Sequence, residues 1–124
     1  MLSSERLTVK AGEALQGAAA DARKRGNAEV HGVHLLGALL DQEEGIVVPI
    51  LQKLEAPVPL VRERVTEALD RMARVEGGAE PNLSRDLRKA LQGAEDVARE
   101  LEDEYVSTEH LLLGLTGEKD DAGR

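Results

Sequence analysis

The sequence predicts an all-α protein made of two tandem, pseudo-symmetric helical repeats. Phe and Trp are absent and Tyr105 is the only aromatic residue, so the core must be built from aliphatic side chains. Small aliphatic side chains let helices pack closely, and the abundant Ala, Leu, Glu and Arg are good helix formers. A match of the chain with itself at a fixed offset is the third observation.

The internal match appears when residues 7–43 are placed over residues 83–119 without a gap, an offset of 76 positions (83 − 7). Chance rarely gives so many identical residues in an alignment without gaps, and two of the three histidines are among them. The match therefore indicates a tandem duplication. The identical runs are Ala14–Ala18 with Ala90–Ala94 and His34–Leu36 with His110–Leu112.

The duplication divides the chain into three parts that together form one domain. Residues 1–75 are the first repeat, with four helices, and residues 76–82 are a connector rich in glycine. Residues 83–124 are the second repeat, with two helices.

In the first repeat, apolar residues three and four positions apart predict a helix with Thr8 as its N-cap. Gly26 and Asn27 tolerate the left-handed backbone conformation that ends helices. Pro49 fits only in the first turn of a later helix. The three further helices are predicted at Val33–Leu40, at about Ile46–Leu54 and across the apolar positions Val61, Val65, Ala68, Leu69 and Met72.

The second repeat begins in the same way, with Ser84 as the N-cap of a long helix. A short helix, Glu109–Leu115, follows, capped by Ser107 or Thr108. Counterparts of the third and fourth helices would reach about residue 151 (75 + 76), so this repeat is predicted to be incomplete, with a frayed polar tail at Gly117–Arg124. The apolar face predicted for its long helix is Leu87, Ala90, Leu91, Ala94, Val97, Ala98 and Leu101.

The composition argues against several classes of function. The net charge is −8 and charges of both signs are interspersed, which disfavours binding to nucleic acid or to an anionic membrane surface. No apolar stretch approaches the roughly 20 residues that span a bilayer, and no signal-peptide pattern opens the chain. The absence of cysteine excludes disulfides and thiol chemistry and fits a cytoplasmic protein.

Catalytic and metal-binding motifs are also missing from the sequence. It holds no G-x-x-x-x-G-K-[ST] loop and no set of nucleophile, base and oxyanion donor, so we expect neither enzymatic activity nor a cofactor in this chain. His31 and His34 have a spacing that zinc sites use, but no cysteine accompanies them. Because His110 repeats His34, we interpret both as structural rings hydrogen-bonded to the backbone and expect no metal.

These residues resemble the Clp amino-terminal repeat family of AAA+ chaperones, from Glu5-Arg6-Leu7-Thr8 to the end of the sequence. The strongest likeness is the segment Asp103–Leu115, DEYVSTEHLLLGL. The connector Val75-Glu76-Gly77-Gly78, followed by Pro81 and Ser84, resembles the ClpB branch of the family. The family fold has two pseudo-symmetric four-helix repeats, so the resemblance implies that about six of its eight helices are present.

The resemblance implies a module that binds unfolded or aggregated polypeptide and passes it to AAA+ rings for disaggregation. ATP and Mg would belong to downstream ATPase modules, and a hexamer and a DnaK-type chaperone partner only to a full-length protein. Two alternatives remain: an adaptor-docking domain of the ClpA/ClpC type that feeds a protease, or a free-standing Clp-repeat adaptor.

The resemblance also implies binding residues, carried over by position. Thr8, Asp103 and Glu109 match family positions linked to chaperone activity. Gly93 and His110 stand where other ClpB-type members can carry leucine, so less apolar surface is expected here. The family's apolar groove would be lined by Leu91, Gly93, Val97 and His110, with Tyr105 as a contact at its rim.

Each of these residues also has an ordinary structural role that the sequence leaves open. Thr8 can be only a helix cap, Glu109 only a partner of the helix dipole, and Asp103 only a turn residue. Leu91 and Val97 can be ordinary core residues, since a groove requires exposed apolar surface that sequence does not demonstrate.

Overall fold

The structure, a computed structural model, describes residues 4–75, 77 and 80–117. Part of the predicted connector and the predicted frayed tail from residue 118 onward lie outside the described residues. The described part confirms the all-α prediction with six α-helices, together with one turn of 3-10 helix at Ser4–Arg6. The elements in chain order are α1 (Val9–Arg25), β1 (Glu29–Val30), α2 (Gly32–Asp41), α3 (Val47–Lys53), α4 (Val58–Asp70), β2 (Asn82–Leu83), α5 (Arg85–Glu100) and α6 (Thr108–Thr116).

Both long helices begin where the sequence predicts, and α1 also ends at its predicted glycine. Thr8 Oγ1 accepts a hydrogen bond from the Ala11 backbone N–H at 3.2 Å, and Ser84 Oγ accepts one from Leu87 N–H at 3.0 Å. Gly26 ends α1 with φ of 74°, a conformation that costs a glycine little. The two caps lie 76 positions apart (84 − 8), so the duplication extends to the start of each helix.

Small residues bring the helices into close contact. Every buried residue of α1 is alanine: Ala11, Ala14, Ala18 and Ala22. At the crossing of α5 and α6, a Cβ placed on Gly93 would lie 3.7 Å from Gly114 Cα. A Cβ on Gly114 would strike the Ala90 carbonyl oxygen and lie 3.0 Å from the Ala94 backbone nitrogen. Only glycine therefore fits at position 114 while the two helices keep this distance.

Two short parallel backbone pairings cross between the repeats. Val30 of β1 pairs with Leu83 of β2, and the Ser84 N–H donates to the Val30 carbonyl oxygen at 2.9 Å. The counterpart pairing joins Leu7 to Val106. There the Thr8 N–H donates to the Val106 carbonyl oxygen at 3.0 Å. Each long helix therefore starts from a hydrogen bond to the other repeat.

The burial of the second repeat differs from the sequence prediction at the end of α5. Leu101, predicted on the buried face, is 61% exposed and caps the helix, and Val97 is only half-buried. Met72, predicted in the fourth helix, lies in the turn that follows α4. In the part of the chain described, no helix is both long and apolar enough to cross a membrane.

The close crossing of α5 and α6 gives a stability prediction. Gly114→Ala should destabilise the protein by about 1–3 kcal/mol, because the added methyl group meets backbone atoms that no side-chain rotation can move. Urea denaturation followed by circular dichroism measures the change. Gly12→Ala is the matched control, since a Cβ on Gly12 meets nothing within 4 Å. That control should stabilise α1 by about 0.5–1 kcal/mol, and equal effects of the two substitutions would contradict the close crossing.

Candidate functional site

The predicted polar residues lie where the second repeat meets the start of α1. The backbone pairing with Val106 places Thr8 beside the segment that carries Asp103, Tyr105 and Glu109. The side chains of Asp103 and Glu109 are exposed, and Tyr105 is 49% exposed. Thr8 is half-buried and its hydroxyl oxygen is engaged as the helix cap. The structure thus brings the predicted polar residues together, and Thr8 contributes as the half-buried cap of α1.

We call the surface formed by Thr8, Asp103, Tyr105 and Glu109 the polar edge. His110 lies beneath this polar edge and is not on the surface. The ring is 3% exposed, and its Nδ1 accepts a hydrogen bond from the Ser107 N–H at 2.9 Å. A neutral ring whose Nδ1 accepts must carry its proton on Nε2, which therefore donates to Asp103 Oδ2 at 2.8 Å. His110 was predicted to line the apolar groove, but it instead holds the Asp103 carboxylate in place.

The first repeat contains the same arrangement with an amide in place of the carboxylate. His34 Nδ1 accepts from the His31 N–H at 2.8 Å, and His34 Nε2 bonds Asn27 Oδ1 at 2.8 Å. Asn27 is buried and donates through Nδ2 to the Ala73 carbonyl oxygen at 3.2 Å. Asp103, its counterpart at the offset of 76 positions, has a side chain that is 48% exposed. Only the second repeat presents a negative charge at this position, a difference that comparing the two repeats in the sequence could have revealed.

Both ring nitrogens of His34 form hydrogen bonds within the protein, which argues against a zinc site formed by His31 and His34. The two rings stack with centroids 6.1 Å apart, a contact that needs no metal. Burial of the His34 ring, which disfavours its charged form, lowers its pKa to about 4. The ring is therefore neutral near pH 7, as its hydrogen bonds require.

The residues predicted to form one apolar groove lie on different sides of α5. Leu91 is 7% exposed and faces a groove between α1 and α5. Gly93 instead packs against Gly114 of α6, and Val97 lies one turn further along that side of the helix. Leu91 and Val97 therefore belong to separate surfaces.

The corresponding side of the first repeat is a charged groove between α1 and α4. Arg25 Nε lies 3.0 Å from Asp21 Oδ2, and Arg25 Nη1 lies 3.3 Å from Asp70 Oδ1 of α4. Gly37 lines the same groove, and a Cβ added to it would lie 3.3 Å from Val65 Cγ1. The groove residues with a counterpart in the second repeat include Gly17, Asp21, Arg25 and Gly37.

The counterparts of these four residues in the second repeat are apolar. Gly93 replaces Gly17, and a set that we call the apolar patch, Val97, Leu101 and Leu113, replaces Asp21, Arg25 and Gly37. Leu101 is 61% exposed and Leu113 is 49% exposed. The two repeats therefore differ in kind at two of these positions, with the ion-paired Asp21 and Arg25 in the first repeat and the aliphatic Val97 and Leu101 in the second.

The duplicated helices, the crossed pairings and the buried histidine of each repeat define a Clp-type amino-terminal repeat domain. Residues 6–124 match the Clp repeat (R) N-terminal domain family, and the chain belongs to this family. It is 38% identical over 111 residues to the chaperone protein ClpB of Rhodopirellula baltica, which covers 90% of this chain. The chain spans 13% of the length of that relative. It is a ClpB-like amino-terminal domain, and these residues carry no ATPase module.

Solved structures share the fold. The N-terminal domain (1–163) of the ClpV1 ATPase from E. coli is 29% identical, with a TM-score of 0.83 over 91% of this chain and 69% of that one. A ClpV N-domain in complex with a VipB peptide is 25% identical, with a TM-score of 0.76 over 94% of this chain and 71% of that one.

The buried ring of His34 predicts a pH dependence of stability. Its pKa is about 4 in the folded protein and 6.5 in an unfolded chain, so on acidification the unfolded state binds the proton first. The stabilising contribution is therefore complete above about pH 6.5 and is lost as the pH falls towards 4, by about 3 kcal/mol in total. Urea denaturation between pH 7 and pH 5 measures the upper part of this loss.

His31→Gln is the matched control for this pH dependence. It removes a neighbouring imidazole but keeps the backbone N–H that His34 accepts from. The slope should persist in this variant, and a slope that disappears with His31 would show that His34 is not its source.

Proposed function

We propose that the chain is the substrate-engaging amino-terminal domain of a ClpB-type, ATP-dependent protein disaggregase. It binds unfolded or aggregated polypeptide for transfer to AAA+ rings. The observation that carries this proposal is the apolar patch, Val97, Leu101 and Leu113. Val97 and Leu101 stand where the first repeat has the ion pair of Asp21 and Arg25, and Leu113 stands where it has Gly37. The counterparts of these residues, Asp21, Arg25 and Gly37, line one groove of the first repeat. A contiguous group of exposed aliphatic side chains is typical of a surface that binds other chains.

The size of the patch suits weak and unselective binding. Complete burial of an exposed leucine is worth about 1.5–3 kcal/mol, and Leu101 and Leu113 are each about half exposed. Contact with a client would therefore gain on the order of 1 kcal/mol from each. A surface of this strength can bind many apolar segments and release them again.

The polar edge complements the patch. Asp103 and Glu109 are exposed acceptors close to the start of α6, and a client in extended conformation has unpaired backbone N–H groups to donate. His110 orients the Asp103 carboxylate, and the Ser107 hydroxyl donates to Glu109 Oε1 at 3.3 Å. Two carboxylates at this edge favour clients that combine apolar and basic residues.

The ATPase functions of a disaggregase are proposed for a longer protein that contains this domain. The chain matches 13% of the length of the ClpB relative, so ATP hydrolysis, Mg binding and hexamer formation are proposed for the rest of such a protein. Cooperation with a DnaK-type chaperone is likewise proposed for the full-length protein.

Adaptor docking is the second candidate function. The ClpV N-domain solved with a VipB peptide shows that a related domain binds a defined partner segment. The same surface would then bind one folded or helical partner strongly instead of many unfolded chains weakly. A free-standing adaptor without AAA+ rings would use the same contacts.

An amide NMR titration with a permanently unfolded protein tests the proposed function. Shifts should cluster near Val97, Tyr105, Glu109 and Leu113, and Leu113→Asp should weaken binding by about tenfold, the equivalent of 1.4 kcal/mol. Leu54→Asp is the matched control, because Leu54 is 71% exposed at the end of α3. A dispersed spectrum without shifts, or equal loss in both variants, would turn the assignment towards adaptor docking.

Asp103→Asn tests the polar edge with a change that the first repeat already contains. The amide oxygen still accepts from His110 Nε2, as Asn27 does from His34, so unfolding free energy should change by less than about 0.5 kcal/mol. The affinity for a lysine-rich unfolded client should fall several-fold as the charge is lost. Glu63→Gln, on the exposed side of α4, is the control for general charge effects. An unchanged affinity in Asp103→Asn would remove Asp103 from the site.

A further inference from the structure

The charged groove between α1 and α4 has the dimensions of a ligand site. It encloses about 540 Å³, a volume within the range of small-molecule sites. Part of its lining is small or aliphatic, and a Cβ added to Gly17 would lie 3.6 Å from Ala38 Cβ, an ordinary contact. These lining residues are Ala14, Gly17, Gly37, Ala38, Val65 and Leu69. They give a surface along which the methylene stem of a ligand can lie.

One end of this groove is formed by the first turn of α1 and the turn after α2. Gln42 Nε2 donates to the Lys10 carbonyl oxygen at 2.8 Å, and Lys10 Nζ donates to the Glu43 carbonyl oxygen at 3.0 Å. Glu13 lies one helical turn beyond Lys10 and lines the same groove. The two hydrogen bonds therefore hold polar side chains from two parts of the chain at one end.

Three residues at this end have acceptors without a partner among the described residues. Gln42 Oε1 is buried and accepts no hydrogen bond, which is costly for an amide oxygen. Glu13 and Glu43 are exposed, and their carboxylates form no ion pair in the part of the chain that the structure describes. A ligand with several donors can satisfy these acceptors.

The balance of charge in the groove favours a cation. Asp21 is paired with Arg25 at 3.0 Å, and Asp41 is paired with Arg62 at 3.0 Å. Lys10 is the remaining cation of the lining, and the two unpaired carboxylates outnumber it. The groove therefore has one negative charge in excess, at the end where the unpaired acceptors lie.

The acidic end belongs to the first repeat alone. The counterparts of Glu13 and Glu43 at the offset of 76 positions are Lys89 and Lys119. The charge is reversed at both positions, so a cation selected by the first repeat would be repelled by the corresponding residues of the second.

We propose that the charged groove binds a primary alkylammonium group, supplied by a lysine side chain of a partner or by a free polyamine. An ammonium carries three N–H donors on a flexible aliphatic stem, which suits acceptors on three residues beside an aliphatic surface. A guanidinium suits them less well, because its planar fork pairs best with a single carboxylate. The site lies on the first repeat and goes beyond the proposed client binding, which uses the second.

An amide NMR titration with three probes tests the proposal. The probes are spermidine, a blocked alanine–lysine–alanine peptide and its neutral match with glutamine in place of lysine. Spermidine or the lysine peptide should shift the amides of Gly17, Gly37 and Gln42, and added salt should weaken the binding. The tighter of the two identifies the source of the ammonium group. No shifts from either cation, equal shifts from the glutamine peptide, or shifts confined to the polar edge would each overturn the proposal.

Removal of each carboxylate is the second arm of the test. Glu13→Gln and Glu43→Gln should each weaken binding of the cation by about fivefold, the order of magnitude of one exposed ion pair. Glu63→Gln, on the exposed side of α4, is the matched control and should leave the affinity unchanged. Equal losses in all three variants would reduce the effect to net charge and contradict the site. Leu113→Asp should weaken client binding without changing cation affinity, so the proposed function and this site can fail separately.

Discussion

The crossed backbone pairing between the repeats is the interaction on which the rest of the structure depends. The Ser84 N–H bonds the Val30 carbonyl, and the Thr8 N–H bonds the Val106 carbonyl. Thr8 and Ser84 are also the caps of α1 and α5, so each repeat fixes the start of the other's long helix. The groove between those helices, and the position of Thr8 beside the polar edge, both follow from this exchange.

Duplication has kept the backbone of the two repeats alike while their surfaces diverged. A buried histidine in each repeat keeps the same two kinds of bond, but its partner is Asn27 in one and Asp103 in the other. Arg25, tied to two carboxylates, corresponds to exposed Leu101. The buried contacts are alike in the two repeats, whereas at exposed positions one repeat is ionic where the other is aliphatic.

The sequence predicted what depends on neighbouring residues and missed what depends on distant ones. The caps at Thr8 and Ser84 are local, because a hydroxyl reaches the third residue along. The two-residue strands have no periodicity, and their pairing joins positions far apart in the chain. Helical spacing identified the apolar side that carries Leu101 but not whether another element covers it. The separation of Leu91 from Val97 follows from helix geometry and could have been deduced.

The crossed pairing also bears on how such a chain arises. A single repeat carries both kinds of hydrogen-bonding partner. The residue before its long helix donates its N–H to the other repeat, and its strand residue accepts a hydrogen bond from the other repeat. Two separate copies would join with Leu7 of each beside Val30 of the other, which is an isologous interface with twofold symmetry. The present chain has the pairings of such a dimer within one polypeptide. Two halves of one polypeptide need not be identical, and Asn27 and Asp103 differ at related positions.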